Sequence, residues 1–128
     1  EFWASYKDYF VDWNYDKISN SYKRNNGGVA HIDLDNNKQL IAKNIVVLYM
    51  RQSYANDGYE NNVHLLYGDK GTGKAIVFKD GTEIKGAWSK DTRTARTLLF
   101  DSNGNPIKFN RGLIWFEILP TDGVVSVK

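Results

Sequence analysis

The sequence predicts a mainly β domain, an antiparallel sandwich or a partly open barrel with at most one or two short helices. Three observations lead there. Aromatic side chains make up 14% of the 128 residues, and such side chains fit a half-buried pleated surface. Turn signals recur along the chain, at Asn25-Asn26-Gly27-Gly28, Asp35-Asn36-Asn37, Asn56-Asp57-Gly58, Asp80-Gly81, Asn103-Gly104 and Asp122-Gly123, with strand-like runs between them. No helical periodicity of useful length competes with them. Many short strands at spacings of about 8–12 residues are the pattern of sandwiches and barrels.

The elements follow in order. Tyr9, Val11, Trp13 and Tyr15 alternate with more polar neighbours and give one strand with an apolar face. Ala30, Ile32 and Leu34 alternate with His31 and Asp33 in a second. Residues 44–50 are apolar on both faces and read as a central strand. Residues 63–67, 74–79 and 82–89 continue the series, the last two as a hairpin around Asp80-Gly81. A further hairpin is expected around Asn103-Gly104, joining residues 97–101 to 106–109. Residues 113–119 form the strongest late strand, with Ile114, Phe116 and Ile118 on one face and Leu113, Trp115 and Leu119 on the other. Residues 124–127 are expected to close the sheet. There is room for one short helix, near residues 1–9 or 90–96. Trp13, Trp88 and Trp115 are read as core, given the area each can bury. No repeat, low-complexity stretch or linker divides the chain, so residues 1–128 are expected to form a single domain.

Composition limits the function. A net charge of +2 is too small to argue for nucleic acid or an anionic membrane as partner, and the basic residues form no stripe. With no cysteine, a disulfide framework, a thiolate metal site and a cysteine nucleophile are excluded. The longest apolar run, Ile45 to Met50, is far too short to cross a bilayer. A chain that starts at Glu1 without Met suggests a piece of a longer protein.

One motif misleads. Gly68-Asp69-Lys70-Gly71-Thr72-Gly73-Lys74 satisfies G-x-x-x-x-G-K, but Ala75 stands where a hydroxyl should reach magnesium. A phosphate-binding loop must also open into a helix whose N-terminus holds the phosphate. Here a β-branched and aromatic run follows, so the segment reads as a flexible loop before a hairpin, and no nucleotide is expected.

Candidate chemistry is sparse. His31 and Asp33 are two apart on a predicted strand and share a face. Arg24 lies just before them across the Asn25–Gly28 turn. A His held by a carboxylate is the kernel of general-base catalysis or the start of a metal site. The simpler reading is the outer face of a hairpin, with Arg24 and Asp33 as an exposed ion pair worth about 0–1 kcal/mol. Asn44 and Lys74 join Arg24, His31 and Asp33 as a candidate binding face if the five converge on one concave surface. Asp33-Leu34-Asp35-Asn36-Asn37 spaces its carboxylates and amides as a calcium loop does, but lacks the glycine and glutamate such a loop requires. No nucleophile, metal ligand set or cofactor motif stands out. Tyr49, Tyr54, Tyr59 and Tyr67 gather around the 52–62 loop and form an alternative surface for a partner.

Taken in order, Trp13-Asn14-Tyr15-Asp16, His31-Ile32-Asp33, Asn44-Ile45-Val46-Val47, Gly71-Thr72-Gly73-Lys74-Ala75, Phe78-Lys79-Asp80-Gly81, Gly86-Ala87-Trp88-Ser89-Lys90 and Gly112-Leu113-Ile114-Trp115-Phe116-Glu117-Ile118-Leu119-Pro120 resemble the C-terminal domain of the YerB-like lipoproteins of Gram-positive bacteria. The resemblance covers nearly the whole chain. It implies a second domain N-terminal to this one, a lipid anchor outside this chain as the sole membrane attachment, and an extracytoplasmic location. It implies no known chemistry. The expected function is therefore a non-catalytic binding or protein-interaction module, with envelope proteins or cell-wall material as partners. A cell-wall-directed hydrolase using the His/Asp pair and a purely structural domain are the alternatives.

Overall fold

Asn44–Met50 is buried at six of its seven positions because both of its faces are covered. The computed structural model describes residues 9–128. Thirteen strands and one 3-10 turn run in the order β1 (Val11–Asp16), β2 (Ser21–Asn26), β3 (Val29–Ala30), β4 (Ile32–Asp33), β5 (Lys38–Gln39), β6 (Ile41–Ala42), β7 (Asn44–Met50), β8 (Gln52–Tyr54), the 3-10 turn (Glu60–Asn62), β9 (Leu65–Tyr67), β10 (Gly71–Lys79), β11 (Thr82–Lys90), β12 (Leu98–Asp101) and β13 (Ile114–Pro120). The fold is mainly β, and its sheets do not close into a barrel.

The larger sheet has the order β12-β11-β10-β7-β13. One face carries Val46, Leu48, Ala75, Val77, Trp88 and Leu99, with Ile107 and Phe109 packed over them from the segment between β12 and β13. The other face carries Ile45, Val47 and Leu119, and against it lies the smaller sheet of β1, β2, β3 and β6 through Val11, Trp13, Tyr22 and Ala42. The alternation of side chains along β7 thus feeds two cores.

Several expectations are corrected. β13 runs parallel to β7, so the sheet is not wholly antiparallel; the long 102–113 crossover makes that direction possible. In place of the helix expected at residues 90–96, Lys90 ends β11 and residues 91–95 form bends and turns, and residues 124–127 form no strand. The other helix expectation, at residues 1–9, falls almost wholly outside the described residues. Past Asn103-Gly104 only one bridge forms, Phe100 to Pro106, flanked by the Asp101 N–H donating to Asn105 O and the Ile107 N–H donating to Leu99 O, both at 2.9 Å. The flexible loop expected at Gly68–Gly73 is also shorter than it reads: β10 already begins at Gly71.

Two glycine-bearing positions fix the geometry. Asp80 and Gly81 both have positive φ, 53° and 71°, as a two-residue hairpin of this twist requires. A Cβ on Gly73 would sit 2.4 Å from Trp88 Nε1 and 2.6 Å from the Tyr49 carbonyl oxygen. Without one, the buried Trp88 indole, 2% exposed, donates to that carbonyl at 3.0 Å.

Candidate functional site

β1 pairs with β2 along its whole length, placing Trp13 opposite Arg24 and Tyr15 opposite Tyr22. Arg24 N–H donates to Leu40 O (2.9 Å), and His31 N–H donates to Arg24 O (3.0 Å). The main-chain groups of Arg24 are therefore spent on the side away from β1, and Arg24–Trp13 is a non-hydrogen-bonded pair with close side chains. That pair faces the larger sheet, where Trp115 and Glu117 of β13 meet it.

The result is a buried polar cluster. Arg24 is 8% exposed, and its guanidinium carbon lies 4.9 Å from the Trp115 ring centroid and 5.9 Å from that of Trp13. The two indoles meet edge to face at 5.5 Å. Trp13 Nε1–H donates to Glu117 Oε1 at 3.2 Å. Arg24 Nε is 3.7 Å from the same oxygen and has no hydrogen-bond partner, so that attraction is Coulombic. Desolvation is the strongest influence on Glu117 and raises its pKa above the ordinary 4.5; the Trp13 N–H and the Arg24 charge oppose it without cancelling it.

Of the five residues the sequence proposes, the fold brings two together. Arg24 Nη1 donates to His31 Nδ1. A guanidinium has only donors, so that ring nitrogen is the acceptor. Asp33 does not join them. Its carboxylate accepts the Asp35 N–H (2.9 Å) and the Asn36 Nδ2–H (2.7 Å), because β4 turns straight into β5. The exposed Arg24–Asp33 pair is therefore replaced by a buried Arg24–Glu117 pair, and His31 and Asp33 form no dyad. Asn44 lies on no surface. It is fully buried, donates to Asn110 O (3.0 Å) and accepts from Asn110 N–H (2.9 Å), holding the crossover in place. Lys74 opens into a separate depression with Arg51 and Lys70. His64 is exposed; it stacks on Tyr59 at 4.2 Å and bonds Asp57 at 2.7 Å.

Sequence reasoning passes over the other side of Trp13. By alternation, the main-chain groups of Val11, Trp13 and Tyr15 point away from β2. Among the described residues no strand pairs with that edge. That side of β1 borders a groove of about 720 Å³ lined by Phe10, Trp13, Tyr15 and Tyr22, by Phe78, Thr82 and Glu83, and by residues 125–128. Such a volume is typical of binding clefts. The sequence carried one hint: Glu117 falls between Trp115 and Leu119 in the row that faces the smaller sheet, marking a polar contact there.

Comparison with known proteins follows the same fold. A model of the family described as "Protein of unknown function (DUF3048) C-terminal domain" matches residues 2–116. A curated protein of Bacillus subtilis (strain 168), "Putative lipoprotein YerB", is 24% identical over 117 residues, covering 91% of this chain and 33% of its own length. The crystal structure of YerB protein from Bacillus subtilis superposes with a TM-score of 0.73 at 24% identity, over 86% of this chain and 36% of that one. The chain thus spans about a third of the relative it matches, and the likeness concerns the fold.

Proposed function

The chain belongs to the family of DUF3048 C-terminal domains, and from that premise we propose that it is a non-catalytic, extracytoplasmic binding module of a cell-envelope lipoprotein. Its partner is a protein segment that adds to β1 as an extra strand. The observation that carries this reading is the edge of β1, with which no strand pairs among the described residues, beside its groove. Three residues, Val11, Trp13 and Tyr15, present N–H and C=O groups in the direction a new strand would pair. The aromatic side chains beside that edge offer pockets for alternate side chains of an extended peptide. β1 contains no proline, a common device for blunting a free edge. The lipoprotein setting is supported by the name of the relative alone.

The hydrolase alternative loses its main support. His31 Nδ1 is occupied by Arg24, and Asp33 caps its own turn.

The test is a display selection for peptides that bind the domain, followed by two variants of one position. Tyr15→Ala removes a side chain; Tyr15→Pro also removes an edge-facing N–H and fills the strand's approach. Strand addition predicts that Tyr15→Pro weakens the selected peptides at least tenfold relative to Tyr15→Ala, with β2 amide signals unmoved. Equal binding by both variants would mean that peptides bind elsewhere.

A further inference from the structure

One wall of the groove beside β1 is a later part of the same chain. After β13 the chain reverses, and the Gly123 N–H donates to Pro120 O at 2.9 Å. A Cβ on Gly123 would sit 2.9 Å from Leu119 Cβ and 3.0 Å from Pro120 O, so the reversal leaves no room for a side chain there. It sets Val125 onto the apolar cluster of Val11, Val47 and Leu119, and residues 125–128 line the groove. Val11 opens β1, so this anchor lies at one end of the strand whose edge has no partner strand. Val124-Val125-Ser126-Val127 is rich in β-branched residues, which favour strands, yet it forms none. Its hold is slight. Val125 is half-buried, whereas Val124 and Val127 are 75% and 63% exposed. A segment with one apolar anchor and no strand ladder opens at low cost.

We infer that residues 124–128 are a resident competitor for the β1 groove: a partner strand enters by displacing them and brings an apolar side chain to the site that Val125 leaves. This rests on the strand-addition reading. Residues 125–128 bound the groove, so a strand entering along β1 meets them. Once they leave, the cluster of Val11, Val47 and Leu119 is uncovered on that side. A displacing strand without an apolar residue there would leave that surface in water. The apparent affinity for a partner falls in proportion to the fraction of molecules whose groove is free.

Peptides selected by display against the whole chain test it, through their affinities for variants and the amide signals of residues 124–128. Val125→Ser loosens the anchor and should tighten binding about fivefold or more, the gain expected when at most about a fifth of molecules have a free groove. Val124→Ala, at an exposed side chain, should stay within twofold. In the wild-type chain, peptide should move the signals of residues 124–128 to those of an unstructured segment, a readout that needs no variant. A serine scan of the peptide should find one apolar position whose loss weakens binding about tenfold; a scan with no such position would overturn the side-chain requirement. Tyr15→Pro separates the two claims. If Tyr15→Pro weakens binding, but Val125→Ser brings no gain and the 124–128 signals stay in place, the competitor is overturned and strand addition stands. Weaker binding by Val125→Ser would also overturn it, by making residues 124–128 part of the partner's site. Binding that Tyr15→Pro leaves intact would end strand addition, and the competitor with it.

Discussion

Arg24→Ala would leave the Glu117 carboxylate, 13% exposed at its side chain, facing two indoles with no charge partner. Breaking a buried pair from one side costs about 3–5 kcal/mol, far above the 0–1 kcal/mol of an exposed pair. A denaturant midpoint that barely moves would mean Arg24 is solvated after all. Glu117 also makes stability depend on pH. Its folded pKa lies above 4.5, so the folded state holds the proton more tightly than the unfolded chain. The stability from that protonated form is complete below 4.5 and is lost as pH rises through the raised value. Glu117→Gln should flatten this decline in denaturant midpoints measured across the window. Asp16 acts in the opposite sense and at lower pH. The Lys23 hydrogen bond is the main cause of its fall from 3.8 to about 2, so its contribution is present above 3.8 and lost as pH falls through about 2.

At the scale of elements, Asn44 decides how the crossover before β13 is held. Asn44→Ala removes both bonds to the Asn110 backbone and leaves buried groups unsatisfied, at about 1–3 kcal/mol for each. Hydrogen exchange at the Asn110 amide should accelerate while the β10–β11 amides stay protected; unchanged exchange at Asn110 would show that other contacts fix the crossover. Trp88→Ala, by emptying the core over Gly73, should cost about 3–5 kcal/mol. The central strand and the hairpin around Asp80-Gly81 were legible in the sequence because each depends on local chemistry: apolar side chains on both faces, and positive φ at two adjacent positions. The Arg24–His31 contact was legible for a similar reason, since the two are joined by one short turn. Glu117 was not, because it reaches Arg24 from the opposite sheet, and sequence spacing says nothing about which strands of two sheets face each other. The same distance effect hid the role of Asn44, whose partner is 66 residues away.

For the molecule as a whole, the smaller sheet covers one face of β7 and the segment between β12 and β13 covers the other, with β1 at the margin of the smaller sheet. Among the described residues β1 is paired on one side only, and that margin borders a groove lined in part by aromatic side chains. The order of packing therefore makes an edge available without loosening the cores behind it. Central to the account is that this edge is unpaired in the domain alone and becomes paired when a partner strand is bound. Amide hydrogen exchange along β1, with and without a display-selected peptide, tests it most directly. In the free domain, the amides of Asp12 and Asn14, which bond β2, should exchange slowly, and those of Val11, Trp13 and Tyr15 quickly. Peptide should slow the second set and leave the first unchanged. Slow exchange at all five in the free domain, or no change at Val11, Trp13 and Tyr15 on binding, would contradict the account.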